Sequence, residues 1–449
     1  MAQSVDLTIQ HANIVDVKNG RIIKDQTIQI KDQRIVAITS NASKSIQSRD
    51  TWNARGKYIM PGLWDNHIHF GGGDTLIEEN KALLDLFLIN GVTSIRDCAA
   101  DISPSVLAWK KEVQQNTLRG PSIYTSGPKI EGYKSIWVGD LEVDNSQELD
   151  QAFDSLTHLK VDFIKVTDNT LKPSLYLEAI RKARAKGWNV SAHIPAVLTL
   201  KEVSEAGLST IEHLGYLLRA GSAKEAEYTE AIAKGQMTPK AYNQLLMQHF
   251  DTAAALNTYR LLAKNGTAVV PTLNISRSVA FLDQEKHDND PELKMIGPGL
   301  VRTYQWRVDR AAKDDAAAIA YRHELFEKTA GLLPLLHQAG VKIIAGTDAG
   351  YLNSFDYPGS GLHKELQLMV RYGLTAREAL EASVLAGPQL MQVEKDYGSV
   401  SVGKIADLLL LNENPLEDIR ATQKIHAVVL KGKGFDQTSL QEIQQKLMH

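Results

Sequence analysis

Gly62-Leu63-Trp64-Asp65-Asn66-His67-Ile68-His69-Phe70 opens on a turn signal, Met60-Pro61-Gly62, and runs out into Gly71-Gly72-Gly73. Between those two breaks the stretch reads as a strand. Alternate side chains of a strand share a face, so His67 and His69 point the same way at its C-terminal end. Two imidazoles on one face can clamp a metal. The same pair also arises as a surface or packing accident, so partners elsewhere in the chain decide.

Downstream, apolar strands alternate with helical patterns. Candidate strands are 63–70, 93–98, 122–126, 162–167, 189–194, 209–214, 267–273 and 341–347. The segments between them, such as Glu78 to Asn90 and Ser174 to Lys186, carry apolar residues at helical spacing and stop at Gly91 and Gly187. Eight strands separated by helices is the count of a (β/α)8 TIM barrel, an α/β fold, here spanning 61–394. Before it, Asp6 to Ala37 reads as short antiparallel strands with turns at Lys18-Asn19-Gly20 and Lys31-Asp32-Gln33. Strand-and-turn character returns from Gly398 to Leu430, so 1–60 and 395–449 are expected to build one small β-sandwich domain.

Two connections, about 215–266 and 274–340, far exceed the usual βα loop of about 2–6 residues. They read as lid or substrate wall, or else as peripheral helices or a homo-oligomer contact. The chain has 449 residues, 50 basic against 53 acidic, for a net charge of −3. No field is present to recruit nucleic acid or an anionic membrane, which leaves a small molecule as the expected partner. The N-terminus enters alternating residues without a basic start or apolar h-region, and no stretch reaches membrane-spanning length, so a cytoplasmic protein is expected. Cys98 is the single cysteine, which excludes an internal disulfide and any thiolate zinc cluster within the chain. A metal would be held by nitrogen and oxygen.

Polar residues gather at the C-terminal ends of the candidate strands: His67 and His69 on the first, Lys165 on the fourth, His193 on the fifth, His213 on the sixth and Asp348 on the eighth. Active sites of this barrel lie at that face. Four imidazoles, a carboxylate and an amine suit a divalent metal such as zinc. Lys165 shares its strand face with Phe163 and Thr167 and would point into the barrel. There an unpaired ammonium is costly and has to be neutralised, paired or modified.

The order HxH, Lys, His, His, Asp on successive strands resembles the amidohydrolase superfamily in its two-metal form. Pro61-Gly62-Leu63-Trp64-Asp65-Asn66-His67-Ile68-His69 resembles its PG-x-x-D-x-HxH segment, Gly346-Thr347-Asp348 its G-T/S-D, and Gly398 to Leu408 its GS-x-x-x-GK-x-ADL segment. Within the superfamily the chain is similar to imidazolonepropionase-related and prolidase-like amidohydrolases, which include dipeptidases and N-acyl amino acid hydrolases. The resemblance implies two divalent metal ions, zinc as isolated, bridged by Lys165 carboxylated on its side-chain nitrogen. His67, His69 and Asp348 would hold the more buried ion and His193 and His213 the other. One departure stands out: Thr167-Asp168-Asn169-Thr170 replaces a glycine-rich stretch of the peptidase members.

The reaction implied is hydrolysis of an amide C–N bond, most readily of a dipeptide or N-acyl amino acid, by a metal-bridging hydroxide with Asp348 as general base and then acid. A cyclic amide, lactone or carbamate suits the same groups. Deamination resembles one-metal relatives, and a metal-free structural relative would have lost ligands that are all present here. Substrate contacts are expected from Arg96, Tyr216, Arg277 and His363. For Arg96 an ion pair with the adjacent Asp97 stays open, and for His363 a helix-capping or surface role.

Overall fold

The computed structural model describes residues 4–40 and 48–448. Residues 1–3, 41–47 and 449, assigned above to the β-sandwich, lie outside the described residues. In chain order the strands are β1 Val5–Asp16, β2 Arg21–Lys31, β3 Arg34–Ser40, β4 Ser48–Asn53, β5 Tyr58–Pro61, β6 Leu63–His69, β7 Val92–Asp97, β8 Ser122–Thr125 and β9 Ile130–Glu131. They continue with β10 Leu141–Glu142, β11 Ile164–Val166, β12 Val190–Ala192, β13 Thr210–Glu212, β14 Ala268–Val270, β15 Ala349–Gly350, β16 Leu408–Leu411, β17 Ile425–Leu430 and β18 Lys433–Phe435.

Strands from both chain ends form one eight-stranded sheet, in the order β18-β17-β16-β5-β1-β2-β3 with β4 beside β1. β1 and β2 are long and antiparallel, with Leu7 opposite Ile30 and Ile9 opposite Ile28. One face carries Leu7, Ile9, Ile28, Ile30, Leu408 and Leu410 into a separate apolar cluster. The alternate residues Leu409, Leu411, Val428 and Leu430 join the main core. Both faces of β16 are therefore buried, which is why it reads as four leucines in a row rather than as an alternating strand. Where a sandwich of two sheets is expected, hydrogen bonding runs unbroken. Ile35 N donates to Lys404 O at 3.0 Å and Ala406 N to Gln33 O at 2.8 Å, drawing the segment before β16 onto β3. A helix not anticipated in 395–449, Gln437–Leu447, is capped by Asp436 and buries Leu440, Ile443 and Leu447 against the main core.

The middle of the chain is mixed α/β, with two parallel sheets: β15-β6-β7-β8 and β10-β9-β11-β12-β13-β14. Helices such as Ile77–Ile89 and Pro173–Ala185 alternate with the strands, and Gly91 (φ 70°) and Gly187 (φ 80°) reverse the chain after them. Hydrogen bonds link the two sheets at both sides. Asp162 N donates to Thr125 O at 2.9 Å, and segment 342–345 lies between β14 and β6 through Val269 N to Lys342 O (2.9 Å) and Asn66 N to Ala345 O (3.0 Å). The expected strand 341–347 is reduced to a single bridge at Ile343. Its end turns away from ladder geometry because the Thr347 and Asp348 amides both donate to His67 O. Among the described residues no helix is long and apolar enough to cross a membrane.

Candidate metal and catalytic site

The strand ends bring the predicted polar residues together. His67 and His69 project from β6, Lys165 from β11, and His193 and His213 follow β12 and β13 directly. Asp348 precedes β15, which pairs with β6 through Ala349 and Ile68. His67 Nε2 lies 3.2 Å from His69 Nε2, and Asp348 Oδ1 is 3.2 and 3.0 Å from those two nitrogens. His193 and His213 face each other through Nε2 at 3.2 Å. Two donors about 2.0–2.1 Å from one tetrahedral ion are separated by roughly 3.3 Å, so each of these spacings fits an edge of a coordination polyhedron.

The outer nitrogens are engaged as well. His67 Nδ1 is 2.6 Å from Glu212 Oε2, His69 Nδ1 donates to Ala99 O at 3.1 Å, and His213 Nδ1 meets Thr272 Oγ1 at 2.8 Å. His193 Nδ1 is 3.6 Å from Asp168 Oδ1. Each ring is thus held from behind with Nε2 facing inward, the arrangement that orients metal-binding histidines. Burial holds His69, His193 and His213 below the usual imidazole range despite the carboxylates near them, which favours the neutral, ligating form. Burial opposes protonation of His67 too, but Cys98 and Glu212 outweigh it and push its pKa up. Burial would raise the Asp348 carboxyl, yet His213, His67 and His69 keep it well below the usual range and therefore ionised.

Lys165 sits amid these groups, 1% exposed, and its Nζ has no hydrogen-bond partner among the described residues. A buried, unpaired amine is expensive, so the position calls for a modification or an ion that gives it partners. His67, His69 and Asp348 form a group able to hold a metal. The donor set and the orphaned amine together fit metal binding.

Glu212, passed over in the sequence, lies at the base of the site. Burial would raise its pKa, but Arg96 and His67 hold it well below the usual range. Arg96 donates to Glu212 Oε1 at 2.8 Å and to Asn66 O at 2.5 Å, and its guanidinium lies over Phe163. Arg96 is therefore buried beneath the site, with its donors spent, and does not reach the mouth. Its ion-pair reading holds with a different partner: Asp97, on the opposite strand face, accepts from Thr125 Oγ1 at 2.7 Å. Asp65 joins β6 to the Gly346-Thr347-Asp348 turn by accepting from Thr347 N at 3.0 Å and Thr347 Oγ1 at 2.7 Å.

A cavity of about 550 Å³ opens above the site, bordered by His69, Lys165, His193, His213 and Asp348. Tyr216 stacks against His193 at 6.1 Å, beside the site rather than on the cavity wall. Arg277 is turned to Glu285, 2.9 Å from Nη1, and borders no part of the cavity. His363 is 1% exposed and bridges Thr422 Oγ1 and Asn90 O, both at 3.0 Å, so it is a core link and neither cap nor substrate contact. Of the two long connections, the second supplies Trp306 and Arg307 to the cavity, while 215–266 supplies none of its lining. The unusual Thr167-Asp168-Asn169-Thr170 stretch is pinned by Glu131, which accepts from the Asn169, Thr170 and Leu171 amides at 2.9, 3.1 and 2.8 Å. That places Asp168 behind His193.

The profile of the amidohydrolase family matches residues 58–434. Ochratoxinase of Aspergillus niger is 24% identical over 487 residues, spanning 95% of this chain and 86% of that protein. Among solved structures, bottromycin amidohydrolase is similar with a TM-score of 0.74 at 18% identity, covering 98% of this chain and 89% of the other. A Xaa-Pro dipeptidase with methionine bound in its active site gives 0.70 at 21% identity, covering 96% and 99%. The matched stretch takes in every strand-end residue of the site, from His67 to Asp348, and this chain belongs to the amidohydrolase family.

Proposed function

We propose that this protein is a binuclear metal-dependent hydrolase that cleaves the amide C–N bond of a dipeptide or N-acyl amino acid. The observation that carries the reading is the Lys165 amine, buried among four inward-facing imidazoles and the Asp348 carboxylate with no hydrogen-bond partner among the described residues. Carboxylation of Nζ would turn that cation into an anionic oxygen donor able to bridge two ions. His67, His69 and Asp348 would hold one and His193 and His213 the other. Bound divalent metals, zinc in this reading, supply Lewis acidity that acidifies a water and polarises the scissile carbonyl. With Oδ1 turned to His67 and His69, Asp348 takes the proton of the attacking water at Oδ2 and returns it to the departing amine nitrogen. Glu212, Thr272, the Ala99 carbonyl and Asp168 keep the four rings aimed inward throughout.

In the same reading the two parallel sheets form one closed (β/α)8 barrel over 61–394, carried by a β-domain from 1–60 and 395–449. The Thr125–Asp162 hydrogen bond and the placement of 342–345 between β14 and β6 support the closure.

Elemental analysis of wild type and Lys165→Ala, with a dipeptide and N-acyl amino acid screen, tests the reading. The expected result is two metal equivalents and turnover in wild type, loss of both in the variant, and partial recovery with added short carboxylic acids. A Lys165→Ala protein that keeps both metals and full activity would overturn the bridge. A metal-replete wild type that hydrolyses no member of the screen would overturn the substrate class.

A further inference from the structure

The walls of the cavity differ from its floor. Trp137 and Trp306 meet edge to face at 6.2 Å across the mouth, with Ile136 and Val138 beside them, 67% and 83% exposed. Between this apolar rim and the polar floor lies Arg307, on the helix Gln305–Ala311. It donates from Nε to Leu352 O at 3.2 Å and from Nη2 to Asn353 Oδ1. Asn353 in turn donates to the carbonyl of Asp348. The guanidinium is thus tied through one side-chain amide to the main-chain carbonyl of the proposed catalytic residue, Asp348.

Both acceptors are neutral. Among the described residues no carboxylate forms an ion pair with Arg307, and no acceptor of the chain engages Nη1. Three other cations are paired, Lys129 with Asp140 at 3.1 Å, Arg96 with Glu212 at 2.8 Å and Arg277 with Glu285, while Arg310 lies outside them over the Trp306 ring at 4.7 Å. Lys165 lies among the histidines. Arg307 also borders a second cavity of about 270 Å³, whose lining includes His213 and Asp348. A half-buried guanidinium with a free edge, facing a cavity and near Asp348 but ion-paired to no carboxylate of the described residues, is a fork made for a carboxylate.

We propose that Arg307 binds the free carboxylate of the substrate while the Trp137–Trp306 rim takes its apolar portion, so that the site selects N-acyl amino acids bearing a flat apolar group. The selection of this ligand rests on the amide-hydrolysis reading above. The binding chemistry of Arg307 does not: a planar fork and two aromatic faces would hold an apolar carboxylate whether or not the adjacent bond is cut.

N-benzoyl-L-alanine and its C-terminal primary amide separate these statements, with benzoate release followed in wild type, Arg307→Met and Arg307→Lys. Wild type is expected to favour the acid. Arg307→Met should shrink the acid-to-amide ratio of kcat/KM by about 10- to 100-fold, the weight of a charge-assisted hydrogen bond, chiefly through the KM of the acid. Arg307→Lys should restore part of the ratio, since a point charge remains without the fork. An unchanged ratio in Arg307→Met, an equal loss on both probes, or no acid preference in wild type would overturn the assignment. Should neither probe be hydrolysed, that result counts against amide hydrolysis. Calorimetric binding of the same two probes to Asp348→Asn and Asp348→Asn/Arg307→Met then decides the role of Arg307. A carboxylate preference that disappears with Arg307 upholds it, and equal binding of acid and amide overturns it.

Discussion

Replacing Glu212 by Gln tests how the floor of the site is held. The side chain is fully buried and receives His67 Nδ1 at 2.6 Å, Arg96 Nη2 at 2.8 Å and the hydroxyls of Ser191 and Thr210. Gln keeps the shape, but removes the charge opposite Arg96 and turns one acceptor into a donor. Unit charges about 4 Å apart at an effective dielectric of about 20 attract by about 4 kcal/mol, and removing one partner of a buried pair costs about 3–5 kcal/mol. A similar loss is expected in urea denaturation of the metal-free protein. Metal affinity, read by competition with a chelator, should fall about 10- to 100-fold because His67 loses the group that orients it. The double variant Arg96→Met/Glu212→Gln separates the two effects. It should regain at least half of the lost stability, since no uncompensated cation remains buried, yet bind metal as weakly as Glu212→Gln alone. A Glu212→Gln protein within about 1 kcal/mol of wild type, with metal affinity unchanged, would refute the reasoning.

Asp348→Asn should keep the fold and lower kcat by at least about 10²-fold, because proton transfer by a placed side chain contributes roughly 10²–10⁴; steady-state rates within about threefold of wild type would assign the proton to another group. Glu365, 0% exposed with Oε1 unpartnered, has its pKa raised by burial from 4.5 to about 8. The folded state thus keeps a proton that the unfolded chain releases above about 4.5. Stability contributed by this group is complete below that pH and is lost as pH rises through about 8, a change on the order of 5 kcal/mol. Glu365→Gln should flatten that part of the pH–stability curve, and an unchanged slope would show that other groups set it.

What was legible in the sequence was what repeats or reports locally. Period-two spacing placed His67 beside His69, glycine stops marked helix ends at Gly91 and Gly187, and the chain order of HxH, Lys, His, His and Asp carried the family. Pairings across the chain were not legible. Arg96 stands next to Asp97 in sequence but opposite Glu212 in space, because neighbours in a strand point to opposite faces. One signal could have exposed Glu212: an acidic residue within a strand, 209–214, expected inside the barrel needs a buried cation or imidazole. Nothing local marks Arg307. It lies in a connection whose length alone is visible, and its neighbours in sequence, Trp306 and Val308, are as ordinary on a peripheral helix as on a cavity wall.

Backbone conformation at the site was hidden for the same reason, and it carries its own argument. His213 (φ 72°) and Asp348 (φ 71°) are both in the positive-φ region that side chains rarely adopt, as are Ala99 (φ 93°) and Thr272 (φ 49°), which hold His69 and His213 from behind. Such residues cost roughly 1–3 kcal/mol each, so four approach the net stability of a typical domain, about 5–15 kcal/mol. At His213, Asp348 and Thr272 glycine would relieve the strain but has no side chain to ligate or to pair with an imidazole, whereas Ala99 holds His69 through its backbone carbonyl. The strain persists because surrounding bonds over-determine it. His213 N donates to Val270 O at 2.9 Å, Asp348 N donates to His67 O at 2.6 Å, and Asp65 grips Thr347 beside it. Each of these contacts ties one strand end to the next. The same hydrogen bonds that join β6, β13, β14 and the 342–348 segment therefore aim the imidazoles and the carboxylate at one point, and loosening any of them releases strain at the expense of that aim.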